Sequence, residues 1–312
     1  MSGKKISIIT TVFRGKDLIV PLIERIEANL VGFDNYEIIL VDDHCPERSW
    51  QIIERLAKNN SKIKGIKLSR NFGQQIAMSA GMRFASGDMI VLLDGDLQNP
   101  PENIPIIIAK LEEGFDLVYT TSKTRNNWID EITSKLFWFF IIDILKIDMI
   151  KNQLMMKGLS KRILNHYNSY DEHIRIVAGI VYDIGLNSTS IEIVNERRTS
   201  GKSNYNFMKR LNLMIDIVLT LSTKPLSYLI NFSFISLFLT AIVGGWNIFS
   251  RFLYPDNQPP GYMTLLLAIC FFGSATLFVL GIIGKYLSNI YQEVRRRPLF
   301  IVENAANLSQ YE

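Results

Sequence analysis

Short apolar runs alternate with segments of helical periodicity over the first 205 residues. The apolar, β-branched runs predict strands, and the segments with apolar residues three or four positions apart predict helices. The predicted strands are 6–12, 36–41, 63–68, 89–93, 117–121 and 190–194, and the predicted helices are 17–30, 48–59, 74–85 and 101–113. This alternation indicates an α/β domain with a parallel sheet covered on both faces. Such sheets bind ligands beyond the carboxyl ends of their strands.

The last third of the chain has a different pattern. Residues 226–250 and 257–284 contain no charged side chain, and each run is longer than the roughly 20 residues that a helix needs to cross a bilayer. Pro259, Pro260 and Gly261 delay the start of the second helix to about Tyr262. We therefore predict a hairpin of two transmembrane helices, about 226–250 and 262–284. A buried hairpin in a soluble protein is the alternative, but core helices of this length rarely lack charge.

Basic residues lie at the two open ends of this hairpin. The flanking lysines and arginines are Lys202, Lys209, Arg210, Lys224, Lys285, Arg295, Arg296 and Arg297. The connection between the spans offers only Arg251, balanced by Asp256, so the positive-inside rule predicts that both termini are cytoplasmic. Between the α/β domain and the first span, residues 206–225 contain an amphipathic pattern that predicts a helix in the membrane interface. Residues 288–312 are predicted to be a basic cytoplasmic tail.

Composition narrows the classes of function. Of 312 residues, 48% are hydrophobic and 21% charged, which excludes a disordered or fibrous chain. Cys45 and Cys270 are far apart, and the three histidines form no i,i+4 pair, so a disulfide scaffold and a zinc site are not expected. A formal net charge of +4 is too small to indicate a nucleic-acid partner.

Acidic residues follow two of the predicted strands. Asp42 and Asp43 end one strand, and Asp94-Gly95-Asp96 ends another. Carboxylates at one edge of a sheet are suited to Mg²⁺ or Mn²⁺, and such an ion typically also holds the phosphates of a substrate. A simple turn is the alternative for Asp94-Gly95-Asp96, because Asp and Gly are common turn residues. The presence of Asp42 and Asp43 at the end of another predicted strand favours a functional role over a simple turn.

Several motifs together resemble a known family. In order and spacing, residues 8–13, 41–43, 69–73, 87–88 and 94–100 resemble family 2 glycosyltransferases with the GT-A fold. Residues 198–205 and 222–226, with the C-terminal hairpin, resemble polyprenyl-phosphate glycosyltransferases. Among these are dolichyl-phosphate mannose synthase and the bacterial undecaprenyl-phosphate glucosyltransferases of O-antigen modification. The resemblance implies a Rossmann-like, mixed GT-A sheet covered by helices over residues 1–205, on the cytoplasmic side of the bacterial inner membrane.

The resemblance also implies roles for individual residues. The nucleotide sugar would be bound by Thr11, Phe13, Asp42, Asp43, Arg70, Gly73 and Asp94. A Mg²⁺ or Mn²⁺ ion would be held by Asp94 and Asp96, with Gln98 close by. Arg198, Lys202 and Ser203 would face the acceptor phosphate, and the catalytic set would be Asp94, Asp96, Arg125 and Arg198. For Arg198, a solvated charge at the membrane surface is the alternative.

The reaction implied is transfer of a sugar from a nucleotide diphosphate, in particular a UDP-sugar, to undecaprenyl phosphate with inversion. The chain departs from the family pattern at Thr11, Arg14, Gly15 and residues 151–155, so either glucose or a modified sugar fits. One alternative is a transferase for a deoxy or amino sugar, and another is a degenerate, membrane-anchored binding protein. The retained Asp94, Asp96 and Arg198 disfavour the latter. The expected partners are the nucleotide sugar, the polyprenyl phosphate and the bilayer, and a homo-oligomer is left open.

Overall fold

The structure is a computed structural model that describes residues 3–122, 150–151, 153–170, 172, 175, 177–194, 224–253 and 261–308. These residues belong to two compact units. The first contains the described residues up to Val194 together with those from Arg297 onward. The second contains the two long helices that lie between them in the chain.

The first unit is built on a mixed sheet. Within the described residues, eight strands lie in the order β7-β5-β6-β4-β1-β2-β3-β8. Their bounds are β1 Ile6–Val12, β2 Tyr36–Asp42, β3 Ile63–Leu68, β4 Met89–Asp94, β5 Leu117–Ser122, β6 Gln153–Ser160, β7 Ser188–Ile193 and β8 Val302–Ala306. Strands β1 to β4 pair in parallel, whereas β6 is antiparallel to β4 and β5, and β8 is antiparallel to β3. The purely parallel sheet expected from alternation is therefore wrong, and the mixed sheet implied by the resemblance is confirmed.

Helices cover both faces of this sheet because its central strands are apolar on both sides. Alternate residues such as Ile8 and Ile9 of β1 enter two separate hydrophobic clusters, one on each face. Helices α1 (Ile19–Asn29), α2 (Ser49–Asn59) and α4 (Ile104–Glu112) pack on one face. Helices α3 (Gln74–Phe84), α5 (Lys161–Ser169) and α6 (Val177–Asp183) pack on the other.

The C-terminal tail corrects one expectation from the sequence. Residues 302–306 form β8, which satisfies the open edge of β3, and Leu308 is buried against the same core. The Asn307 side chain donates hydrogen bonds to the carbonyls of Ala57, Asn60 and Ile63. The segment beyond Arg297 is thus part of the α/β unit. Its five-residue strand, Val-Glu-Asn-Ala-Ala, is too short and polar to be recognised by pattern.

The second unit consists of α7 (Lys224–Leu253) and α8 (Tyr262–Val294). Many of their large apolar side chains are exposed, Phe238 by 67% and Leu277 by 71%. Among the described residues, the stretch Phe271–Val294, with a mean hydropathy of 1.4, is the single one long and apolar enough to span a membrane. This stretch overlaps the second of the two predicted spans, and the two-span hairpin stays a prediction. Residues 206–223 of the predicted interfacial helix lie outside the described part of the chain.

Candidate active site

The predicted acidic residues meet at the carboxyl edge of the central strands. Thr11 on β1 is paired with Asp94 on β4, and Val12 is paired with Asp42 on β2. The chain turns sharply after Asp94, where a Cβ atom on Gly95 would lie 2.5 Å from the Thr11 carbonyl oxygen. Only glycine fits this approach. The two acidic motifs of the sequence thus lie at one edge of the sheet, on the two strands that flank β1.

Asp43 organises the loop that leads into α3. Its Oδ1 accepts a hydrogen bond from the Phe72 amide at 2.7 Å and its Oδ2 one from the Gly73 amide at 2.9 Å. Gly73 has φ of 92°, a conformation that favours glycine, and α3 begins at the next residue. Asp42 accepts from the Cys45 amide at 2.7 Å. Burial raises the pKa of both Asp42 and Asp43 against the lowering effect of these amides.

Asp94 is oriented by two side-chain amides. Its Oδ1 accepts from Gln74 Nε2 at 2.6 Å and its Oδ2 from Asn99 Nδ2 at 3.0 Å. Asn99 is 3% exposed, and its Oδ1 has no hydrogen-bond partner within the described part of the chain. Asp96 Oδ1 accepts from the Gln98 amide at 3.0 Å, closing a turn in which Leu97 has φ of 60°. The turn brings Asp94 and Asp96 to the same edge.

A buried lysine beside this edge was not anticipated from the sequence. Lys157 on β6 is 2% exposed, and its Nζ donates to the Leu154 carbonyl at 2.5 Å. Burial lowers its pKa to about 8, while the negative charge of Asp94 acts in the opposite direction. A lone lysine in the run Leu154-Met155-Met156-Lys157-Gly158-Leu159 was the available signal. Gln74 and Asn99 were likewise not assigned a role, because their contacts with Asp94 depend on the folded chain.

Aromatic and basic side chains surround the acidic edge. Phe13, which follows β1, is 45% exposed, and the Arg14 guanidinium lies 5.5 Å from the centre of its ring. Arg70 is exposed, with its guanidinium 4.5 Å from the centre of the Phe72 ring. Thr11, Phe13, Arg70 and Gly73 thus belong to the same strand ends and loops as the acids, as the sequence predicts. Arg125, Arg198, Lys202 and Ser203 lie outside the described residues, so their places in the site stay predictions.

The donor set at this edge fits a hard divalent cation. Asp94 and Asp96 offer carboxylate oxygens, and neutral amides, which do not cancel a negative charge, are among the groups that orient them. Within the described ranges, no cluster of three or more His, Cys, Asp or Glu side chains could hold a metal by itself. Mg²⁺ in phosphate sites is usually bound by one or two carboxylates together with water and substrate oxygens, and Asp94 and Asp96 could supply the carboxylates.

Comparison with known proteins defines the class. The family model for glycosyl transferase family 2 matches residues 7–167, and the chain belongs to this family. It is 30% identical over 303 residues to an uncharacterized glycosyltransferase of Synechocystis sp., covering 96% of this chain and 95% of that protein.

A further relative and a solved structure are also similar to this chain. The chain is 31% identical over 308 residues to the undecaprenyl-phosphate 4-deoxy-4-formamido-L-arabinose transferase of Enterobacter sp., covering 97% of this chain and 94% of that protein. Its fold is similar to the crystal structure of glucosyl-3-phosphoglycerate synthase from Mycobacterium tuberculosis in complex with Mn²⁺, UDP-glucose and phosphoglyceric acid. The TM-score is 0.51 at 16% identity, covering 70% of this chain and 79% of that one. The GT-A-like fold expected from the resemblance is confirmed.

Proposed function

We propose that this chain transfers a sugar from a nucleotide diphosphate, in particular a UDP-sugar, to undecaprenyl phosphate. The observation that carries the proposal is the pair Asp94 and Asp96 at the end of β4, oriented by neutral amides at the carboxyl edge of a GT-A-like sheet. The acceptor is suggested by the relatives named undecaprenyl-phosphate sugar transferases, which match over nearly the whole chain. This activity would supply lipid-linked sugar for modification of a surface polysaccharide such as O-antigen.

A divalent metal ion is part of the proposal. Asp94 and Asp96 would hold Mg²⁺ or Mn²⁺, with Gln98 next to them, and the Mn²⁺ complex of a similar fold supports this allocation. When bound, the ion would neutralise the donor diphosphate and stabilise it as a leaving group. Asn99 would keep Asp94 in position through its buried amide. Mn²⁺ and Mg²⁺ both suit this oxygen donor set.

The remaining residues divide between donor and acceptor. The nucleotide would be bound by Thr11, Phe13, Asp42, Asp43, Arg70 and Gly73. Asp43 would act indirectly, by accepting hydrogen bonds from the backbone amides of the loop before α3. Arg198, Lys202 and Ser203 would bind the acceptor phosphate, and Arg125 would assist the phosphates in the catalytic set. Arginine suits this task because its planar fork of donors matches phosphate oxygens.

The proposed reaction inverts the anomeric carbon. A polyprenyl phosphate is an anion at neutral pH, so it can attack the anomeric carbon without a strong general base. A single displacement of this kind inverts that carbon. The transferred sugar is glucose or a modified sugar, and the relatives named as 4-deoxy-4-formamido-L-arabinose transferases favour the modified one.

The membrane arrangement is proposed from the two helices of the second unit. Both α7 and α8 would span the bacterial inner membrane, with the α/β unit and both termini in the cytoplasm, where nucleotide sugars are made. The exposed apolar side chains of α8 and its candidate span support membrane insertion. Cysteine at Asn257 should then react with an impermeant thiol reagent added to intact cells, and cysteine at Ser309 should not, after Cys45 and Cys270 are replaced by serine. Labelling at Ser309 alone would reverse the orientation.

One assay tests the function as a whole. Purified full-length protein in vesicles is incubated with undecaprenyl phosphate, Mn²⁺ and one nucleotide sugar at a time from a panel of UDP-linked hexoses, 4-amino-4-deoxy pentoses and 4-deoxy-4-formamido pentoses. We expect one donor to give a lipid-linked sugar, identified by mass, together with free nucleoside diphosphate. Binding of nucleotide without product from any donor would favour the alternative of a degenerate binding protein.

A further inference from the structure

Lys157 is an internal cation placed next to the proposed metal ligands. It lies in the interior of the sheet, on β6 between β4 and β5, where it pairs with Leu92 on one side and Tyr119 on the other. Its side chain is among the largest that are fully buried in the described part of the protein. Burial of an ammonium group is costly unless an opposite charge or hydrogen bonds compensate. A lysine at this position therefore needs an explanation beyond packing.

The strand register brings Lys157 to Asp94. Side chains of residues two apart on a strand point to the same face, so Leu92 and Asp94 share a face with Lys157, the cross-strand partner of Leu92. Lys157 and Asp94 are thus diagonal neighbours, with a typical separation of roughly 7–8 Å between backbones that a long side chain can bridge. The effect of the Asp94 charge on the pKa of Lys157 agrees with this placement.

Two of the groups that are hydrogen-bonded to Asp94 are neutral amides. Gln74 and Asn99 orient its two oxygens through amide nitrogens. On the same face, Gln75 of α3 is also neutral and donates to Met155 Sδ, two residues before Lys157. Among the described residues of this face, the ammonium of Lys157 is a positive charge that acts on Asp94, and its burial leaves it little screened by solvent and salt.

We propose that Lys157 is a positioning residue that acts through Asp94 and sets the affinity of the site for free divalent metal. Its ammonium offsets one of the two carboxylate charges of Asp94 and Asp96, so a free ion is held weakly. A nucleoside diphosphate brings additional negative charge and restores tight binding. The site thereby takes up its ion together with the donor nucleotide. This inference rests on the proposed metal-dependent function and concerns the order in which the site is filled.

The test measures metal binding without turnover. Full-length protein in detergent is titrated with Mn²⁺ while the electron paramagnetic resonance signal of free Mn²⁺ is followed, with and without excess UDP. Because a buried unit charge near a divalent ion acts strongly, Lys157→Met should bind free Mn²⁺ at least about tenfold more tightly than the wild type. With UDP present, the difference in Mn²⁺ affinity between Lys157→Met and the wild type should become smaller. Lys157→Arg retains the charge and should behave as the wild type does.

Two further variants complete the design. Lys110→Met removes a surface lysine of α4 that pairs with Glu113 just after the helix, and it should leave Mn²⁺ affinity unchanged. Lys157→Gln is neutral but keeps a donor for the Leu154 carbonyl, so it replaces Lys157→Met if the latter does not fold. Unchanged or weaker Mn²⁺ binding by the folded neutral variants would overturn the inference. So would failure of both to fold while Lys157→Arg folds, because the ammonium would then serve the fold.

A different result would overturn the proposed function instead. If the wild type and every variant fail to bind Mn²⁺ even with UDP, the metal assignment itself is wrong, and this inference is overturned with it. Wild-type Mn²⁺ binding that is tight without UDP and unaffected by the lysine variants would overturn only the role of Lys157.

Discussion

The two edges of the central sheet both bury carboxylates, but they treat them in opposite ways. At the amino edge, Glu37 of β2 is 1% exposed and accepts from Lys5 and Lys64, each at 2.7 Å. Glu37 also accepts from Ser7 Oγ at 2.6 Å, from the Ser86 amide at 2.8 Å and from Ser86 Oγ at 2.9 Å. Burial would raise the pKa of Glu37, but the hydrogen bonds from Lys5, Lys64, Ser7 and Ser86 lower it to about 2.

At the carboxyl edge, the acids receive hydrogen bonds from neutral groups. Asp43 accepts from two backbone amides, and Asp94 accepts from the side-chain amides of Gln74 and Asn99. Burial raises the pKa of Asp43 there, in contrast to that of Glu37. An acid saturated by ammonium groups has no charge left for a ligand and serves the fold. Amides carry no net charge that would cancel that of the acid, so Asp43 and Asp94 keep more of their charge for a cation than Glu37 does, even with Lys157 near Asp94.

The largest effect should come from neutralising an acid at the carboxyl edge. Asp96→Asn should reduce sugar transfer by at least about a hundredfold, because a neutral amide replaces a charged metal ligand, while thermal stability stays near that of the wild type. Transfer is measured as lipid product, and stability as the melting temperature in detergent. Asp34→Asn, an exposed acid before β2, is the control and should keep full activity. Full activity of Asp96→Asn, or of the wild type in excess EDTA, would refute the metal assignment.

A substitution at the amino edge should reduce the stability of the fold and leave the transfer activity of the folded protein unchanged. Glu37→Gln leaves two lysines facing a neutral group and should cost about 3 kcal/mol of folding free energy, while the folded fraction keeps its transfer activity. Denaturation of the purified protein and activity per folded molecule are the two measurements. A stable but inactive variant would mean that the amino edge takes part in function, contrary to the comparison.

The pKa of Glu37 adds a pH dependence with a defined sign. The ordinary value is 4.5 and the folded value about 2, so the stabilisation is complete above pH 4.5 and is lost as the pH falls from 4.5 toward 2. At pH 3.5, linkage predicts a loss of about 1.4 kcal/mol. Asp42 and Asp43 have raised pKa values and act in the opposite direction, so the wild type is compared with Glu37→Gln to isolate one group. A stability difference between the two proteins that is constant from pH 7 to 3.5 would contradict this assignment.

The smallest expected effect concerns the orientation of Asp94. Gln74→Ala removes one of its two amide donors and should reduce transfer about three- to tenfold, since Asn99 still holds the other oxygen. Gln51→Ala, an exposed glutamine on α2, serves as the matched control. The saturating rate and the Mn²⁺ dependence are measured for both. A loss as large as that of Asp96→Asn would show that Gln74 itself belongs to the ligand set.

The strands of the parallel core were predicted to within about a residue, and this accuracy has a local cause. Strands buried on both faces appear as continuous apolar runs, so 89–93 in the sequence corresponds to Met89–Asp94 in the structure. The acids that follow such runs were recognised for the same reason. Strand β6 was missed because Lys157 and Gly158 interrupt its apolar run, and its pairing with residues 89–92 joins segments far apart in the chain.

The sequence by itself determined the α/β core, the acidic motifs after β2 and β4, and the apolar character of the C-terminal helices, because each depends on residues that are neighbours along the chain. Only the tertiary structure decided which acids are neutralised and which are left charged. Glu37 contacts lysines from two other segments. Asp94 accepts hydrogen bonds from Gln74 and Asn99 and lies near Lys157 of β6. Strand β8, which follows the two long helices in the chain, pairs with the edge strand β3. The charge state and hydrogen-bond partners of a buried group depend on the residues that folding brings next to it. These residues are distant in sequence, so the local sequence pattern does not reveal them.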